Sequence, residues 1–209
     1  MTTERASRAP KRRLSAADRR TQLLDVARDI VAAEGFAAVT IDRVARTADV
    51  ARALVYQQFT DLSGLMSALL DRETAIALAG VRSVDFVASP GDVDQVGRAV
   101  LAYLHAAPTS WRIMLSPPDG GPPELRDRLE MGRAYARAIG ARHVSRYAGV
   151  TVDPNRATQR VLQASIEELA RLHLTDPAAY PDELVLRYLR SLVQWAVGVE
   201  ATAQALDRP

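Results

Sequence analysis

Arg52, Tyr56 and Gln57 stand at spacings of four and one, with Ala53 between them. On a helix this spacing puts a guanidinium, a phenol and an amide on one side. The guanidinium is a planar fork that can donate two parallel hydrogen bonds to one acceptor pair. The amide both donates and accepts, and the phenol offers one hydroxyl. A thin helix with these groups on its outer face has the shape and chemistry to enter a DNA major groove, where base edges present donors and acceptors and phosphates line the rim. Spacing alone leaves a second reading open, an ordinary helical hairpin whose polar face is solvated.

The segment that must position these groups reads as two short helices, Thr40–Thr47 and Ala51–Phe59, with Ala48-Asp49-Val50 as the joint. Ile41, Val44, Ala45 and Ala48 fall on one face of the first, and Ala51, Leu54, Val55 and Phe59 on one face of the second. Val50 is expected to plug the angle between them. A longer helix precedes the pair. Ser15 and Asp18 have the spacing of a capping box, Leu23, Ala27, Ile30 and Val31 form its apolar stripe, and Gly35 marks its stop. Phe36 and Val39 are expected to fold back onto that stripe, completing a three-helix unit.

Residues from about Arg20 to Leu70 resemble the N-terminal domain of the TetR family of bacterial transcriptional regulators. The resemblance is carried by Leu23-Leu24-Asp25, Ala32-Ala33-Glu34-Gly35-Phe36, Thr40-Ile41 with Val44-Ala45, and Leu54-Val55-Tyr56-Gln57-Gln58-Phe59. It implies a sequence-specific DNA-binding transcriptional regulator, a repressor released from its operator by a small molecule. The implied DNA contacts are Arg52 and Gln57 at base edges, Tyr56 and Thr40 at phosphates, Arg43 and Arg46 as further phosphate contacts, and Ala53 near a thymine methyl or merely allowing close approach. The family also implies a homodimer on a pseudo-palindromic double-stranded operator. Three positions depart from its pattern. Asp49 stands in the joint where glycine is usual, and Asp tolerates a left-handed backbone better than most residues. Ala51 replaces a capping serine or threonine. Leu62 replaces a phosphate-binding lysine, and that contact is not expected here.

Charge is uneven along the 209 residues. Residues 1–60 hold eleven Arg and Lys against seven Asp and Glu, a balance of +4, whereas the whole chain carries +2. A basic segment in a near-neutral chain suits a polyanionic partner. Residues 1–14, with Arg5, Arg8, Lys11, Arg12 and Arg13, read as a basic flexible arm able to track phosphates or enter a minor groove. The absence of Cys excludes disulfides and thiolate metal sites. No apolar run is long enough to span a bilayer, and the basic N-terminus has no apolar stretch behind it. A cytoplasmic protein with no membrane partner is expected.

Residues 15–61 are read as the helix-turn-helix domain and residues 62–209 as a helical ligand-binding and dimerisation domain, an all-α fold throughout. The second part divides at Ser89-Pro90-Gly91-Asp92, at Pro108, at the rigid Ser116–Pro123 connector, at Asp153-Pro154 and at Tyr180-Pro181-Asp182. Helices are expected over 62–81, from Asp92 to about Ala107, over 124–147 with a stripe of Leu125, Leu129, Ala136 and Ile139, from Pro154 to about Leu174, and from Asp182 to about Leu206. Apolar residues cover a wide arc of the fifth of these helices' predecessor and nearly encircle the last, so a second subunit is expected against them. Tyr103, Trp111, Met114, Tyr135 and Trp195 are residues that either fill a core or line an apolar cavity. Given the resemblance they are candidates for the pocket of a partly apolar effector, with His105 as a polar anchor.

No catalytic residues, cofactor or metal site are expected. His105, His143 and His173 are far apart and lack partners at helical spacing, and neither a Gly-rich phosphate loop nor a nucleophile elbow is present. Two further readings stay open: a DNA-binding regulator without a small effector, and a helical binding protein whose DNA domain is inactive.

Overall fold

The structure, a computed structural model, describes residues 14–79, 93–117, 119 and 121–206. All regular structure among them is helical, as the sequence predicts. The break at Ser89–Asp92 and the basic arm through Arg13 lie outside the described residues. No helix described is long and apolar enough to cross a membrane.

Helix α1 spans Ala16–Glu34. Ser15 caps it, its Oγ accepting from the Asp18 N–H at 3.1 Å and donating to the Asp18 carboxylate at 2.8 Å. Asp18 thus supports the cap through the hydroxyl. Gly35 ends α1 at φ 82, a backbone that strongly favours glycine. A short 3-10 turn, Phe36–Ala38, follows and turns Phe36 and Val39 into the core. Helices α2 (Ile41–Thr47) and α3 (Arg52–Phe59) form the expected pair, and α4 runs Leu62–Leu78.

Leu23, Ala27 and Val31 of α1, Val44 of α2, Val55 and Phe59 of α3 and Leu65 and Leu69 of α4 close one hydrophobic core, with Val50 of the joint packed against it. The same core takes in Ile113, Leu125 and Leu129 from further along the chain. Leu62, in the place of the family's lysine, packs there too.

The remaining helices are α5 (Val93–Ala106), α6 (Pro108–Leu115), α7 (Pro123–Ala148), α8 (Ala157–Thr175) and α9 (Asp182–Leu206). Helix α9 packs against α5, α7 and α8, while α6 and α7 pack against α4. Pro108 separates α5 from α6 and occupies the first turn of α6, where its missing N–H removes no hydrogen bond.

Three local expectations are corrected. Asp153 does not cap α8: its carboxylate accepts from the Asn155 N–H at 2.9 Å in a local turn, and the helix starts at Ala157. Ala136 is exposed, because the buried face of α7 shifts to Arg137, Ala141 and Val144 after Leu129 as the helix changes neighbours. Ala51 is also exposed, at the N-cap of α3.

Candidate nucleic-acid interface

Position along α3 divides its residues by side. Val55 and Phe59 are buried, Leu54 and Gln58 are half-buried, and Arg52, Ala53, Tyr56 and Gln57 are exposed, Tyr56 to 50%. The four groups singled out in the sequence therefore share the outer side of a helix whose inner side is locked into the core. Three devices hold the helix there. Asp49 turns the joint at φ 55, the left-handed conformation expected of it. The Arg20 guanidinium of α1 lies 4.3 Å from the Phe59 ring centroid and donates to the Gln58 carbonyl oxygen at 2.6 Å. Gln22 of α1 donates through Nε2 to the Ala48 carbonyl oxygen at 3.3 Å, tying down the end of α2.

The exit from α3 is tighter. Thr60 has φ 66 and ψ −54, and the Asp61 N–H reaches the Phe59 carbonyl oxygen at 2.7 Å. This is a γ-turn of the positive-φ kind, rare and strained for a residue with a side chain. Asp61 then caps α4, accepting from the Gly64 N–H at 2.7 Å. A Cβ on Gly64 would lie 2.1 Å from the Phe59 carbonyl oxygen, so α4 can follow α3 this closely only with glycine there.

On α2, Thr40 is the N-cap, its Oγ accepting from the Arg43 N–H at 3.1 Å. Thr40 is exposed, and its hydroxyl keeps a hydrogen to donate. Arg46 is exposed. Arg43 and Arg52 each carry a carboxylate. Arg43 donates to Glu34 in a two-pronged pair, one contact at 2.8 Å, and this hydrogen bond holds the Glu34 carboxyl below its ordinary value. Arg52 pairs with Asp42. Sequence reading missed both partners. Each pair crosses from one helix to the next, so helical spacing carries no signal for it.

The candidate effector residues are distributed differently. Tyr103 is buried in α5, where loss of water pushes its phenol up, and Trp111 of α6 donates through Nε1 to the Tyr103 carbonyl oxygen at 3.0 Å. Met114 is half-buried on α6. Tyr135 and Trp195 stand at the surface, 68% and 42% exposed, on sides of α7 and α9 that face away from the core. His105 is exposed and lies 2.9 Å from His173 through its Nε2, a partner that helical spacing does not reveal. The residues that meet it are 68 and 77 positions away, on other helices.

Polar contacts join the N-terminal unit to the rest. Arg72 of α4 lies 2.9 Å from Asp25 of α1 and also pairs with the buried Glu73, whose carboxylate accepts from the Ser110 hydroxyl of α6 at 2.6 Å. Ser63 of α4 donates to Glu124 of α7 at 3.2 Å, and Arg128 of α7 pairs with Asp71 of α4.

Residues 23–69 match the family model described as bacterial regulatory proteins, tetR family. Among solved structures, a TetR-like transcriptional regulator from Rhodococcus sp. RHA1 superposes with a TM-score of 0.60 at 16% identity, over 89% of this chain and 99% of that one. A regulator described as of the TetR family from Rhodococcus sp. gives 0.59 at 21% identity, over 86% and 99%. One from Shewanella sp. PV-4 gives 0.57 at 18%, over 86% and 95%. At these identities the likeness is one of fold. No curated protein matches the chain.

Proposed function

We propose, from the match of residues 23–69 to the TetR-family N-terminal domain, a homodimeric, sequence-specific transcriptional repressor that leaves its operator when a small molecule binds the helical domain. The observation that carries the reading is the outer side of α3. It presents Arg52, Ala53, Tyr56 and Gln57 together on a rod buried only along its opposite side. In the groove, Arg52 donates to guanine O6 and N7, Gln57 pairs with a base edge, and Tyr56, Thr40, Arg43 and Arg46 hold phosphates.

Dimerisation would use α8 and α9. Val161, Tyr188, Trp195 and Val199 are exposed apolar or aromatic residues on these helices, and a second copy would cover them. Two recognition helices then face two half-sites about 34–36 Å apart. Release would proceed through α4, which shares a core with α1–α3 and polar contacts with α6 and α7. An effector near Tyr103, Trp111 and Met114 that favours a different tilt of α4 changes the half-site spacing, and it acts only through its differential affinity for the two states.

The test is selection of bound fragments from random duplex DNA by the purified protein, followed by a metabolite screen for release. Enrichment of an inverted repeat with half-site centres about one helical turn apart is expected. A pool that stays random sinks the DNA-binding reading, and an operator complex that no metabolite dissociates sinks the effector. Within the selected complex, Tyr56→Phe is expected to weaken binding to all sequences alike, with selectivity preserved, as for loss of a phosphate contact.

A further inference from the structure

Three helix ends converge beside the cluster formed by Leu101, Leu104, Leu174 and Val185. His105 lies in the last turn of α5, His173 in the last turn of α8, and Asp182 opens α9. His105 Nε2 is 2.9 Å from His173 Nε2 and 3.2 Å from Asp182 Oδ1, and His173 Nε2 is 3.6 Å from that same oxygen. We propose that these three side chains form a mononuclear site for a divalent transition-metal ion of the zinc class, with one coordination position open to solvent.

Geometry comes first. Ligand atoms held about 2.0–2.1 Å from a tetrahedral zinc ion lie about 3.3 Å from one another. The observed triangle brackets that edge on its three sides, and a shift of a few tenths of an ångström in the exposed partners makes it regular.

The second observation concerns the proton on His173. Its Nδ1 is 2.8 Å from the Tyr180 carbonyl oxygen. A carbonyl only accepts, so Nδ1 carries the hydrogen and Nε2 presents its lone pair to the triangle. A ligating histidine is normally oriented in this way, by a hydrogen bond from its other nitrogen. His173 is 3% exposed, which fixes the ring in place. His105 and Asp182 are about half exposed and give the ion an entry path and a place for a water molecule.

Ligand chemistry selects the ion. Two imidazoles with one carboxylate suit zinc, cobalt, nickel or iron, whereas magnesium and calcium prefer all-oxygen shells and copper(I) prefers sulfur. Without metal the same contacts are met by His105 Nε2–H donating to His173 Nε2 and Asp182 Oδ1. Binding therefore moves the His105 hydrogen from Nε2 to Nδ1, seats the ion in its place and clamps α5, α8 and α9 at a single point.

The experiment uses full-length, untagged protein stripped with chelator, and it needs no operator, so its outcome is separate from the DNA-binding reading. Zinc is titrated by calorimetry and cobalt by visible absorption. One equivalent is expected to bind, with a cobalt spectrum of four-coordinate nitrogen and oxygen donors and a rise in thermal midpoint. His105→Ala and Asp182→Asn, both at half-exposed positions, are each expected to lower zinc affinity by at least about tenfold, with cooperative thermal unfolding retained in the metal-free protein. Absence of stoichiometric binding, or affinity unaltered in both variants, overturns the site and leaves a hydrogen-bonded His–His–Asp network.

Discussion

Asp42 and Arg52 are paired on the exposed side of α2 and α3, the side proposed to meet DNA. Their ion pair is exposed on both sides, and such pairs contribute about 0.2–1 kcal/mol. In the proposed complex a guanine edge would offer the same guanidinium two acceptors in exchange for the carboxylate. Arg52→Ala is expected to cost about 1–3 kcal/mol of operator binding and to relax sequence choice at one position of each half-site. A loss equal on all sequences, measured by competition on single-base operator variants, would reassign Arg52 to a phosphate. Asp42→Asn frees the guanidinium and removes a negative charge facing phosphates. It is expected to tighten operator binding by about 0.2–1 kcal/mol at low salt, an effect that fades as salt screens it. Weaker binding by this variant would mean that Asp42 orients Arg52 for docking.

At the level of elements, the α3–α4 junction sets how α3 is presented. Thr60 is forced to positive φ by the γ-turn, and Gly64 lets the next helix pass under the Phe59 carbonyl oxygen. Thr60→Gly is expected to raise stability by up to about 1 kcal/mol, since glycine meets no steric cost at this φ. Gly64→Ala is expected to lower it by about 1–3 kcal/mol through overpacking against backbone. Thermal denaturation of the two variants checks both signs, and a neutral Gly64→Ala would mean that α4 shifts freely against α3. Asp49 was legible as a turn residue because its type is one of the few that tolerate its conformation. Thr60 was not, because threonine gives no such hint and the turn is imposed by two packed helices. The start of α8 was misplaced for a related reason: Asp153-Pro154 is a valid cap signal that the local turn uses instead.

For the whole molecule, the exposed Val161 of α8 and Tyr188, Trp195 and Val199 of α9 are the test of assembly. Tyr188, Trp195 and Val199 recur at spacings of seven and four on α9, one side of a helix. Trp195→Arg is expected to convert a dimer into a monomer in light scattering and to weaken operator binding with it, since one subunit then grips one half-site. A dimer that survives the substitution places the interface elsewhere. Trp195 also illustrates a general ambiguity. In the sequence it reads as a core or cavity aromatic or as part of a helix covered by a second subunit, and the structure shows it exposed on the single chain.

What the chain reveals residue by residue is whatever depends on near neighbours: helix periodicity, the cap at Ser15, the stop at Gly35, and a helix α3 whose inner and outer sides differ every three or four residues. Those signals repeat within a turn or two, so the three-helix unit and the residues exposed on the outer side of α3 were legible in the sequence. Packing alone settles the features built across distant segments. The Arg43–Glu34 and Arg52–Asp42 pairs, the burial of Arg137 in place of Ala136, and the meeting of His105, His173 and Asp182 each join residues with no shared period. Their contacts arise from how helices cross, and crossing geometry is a property of the assembled core.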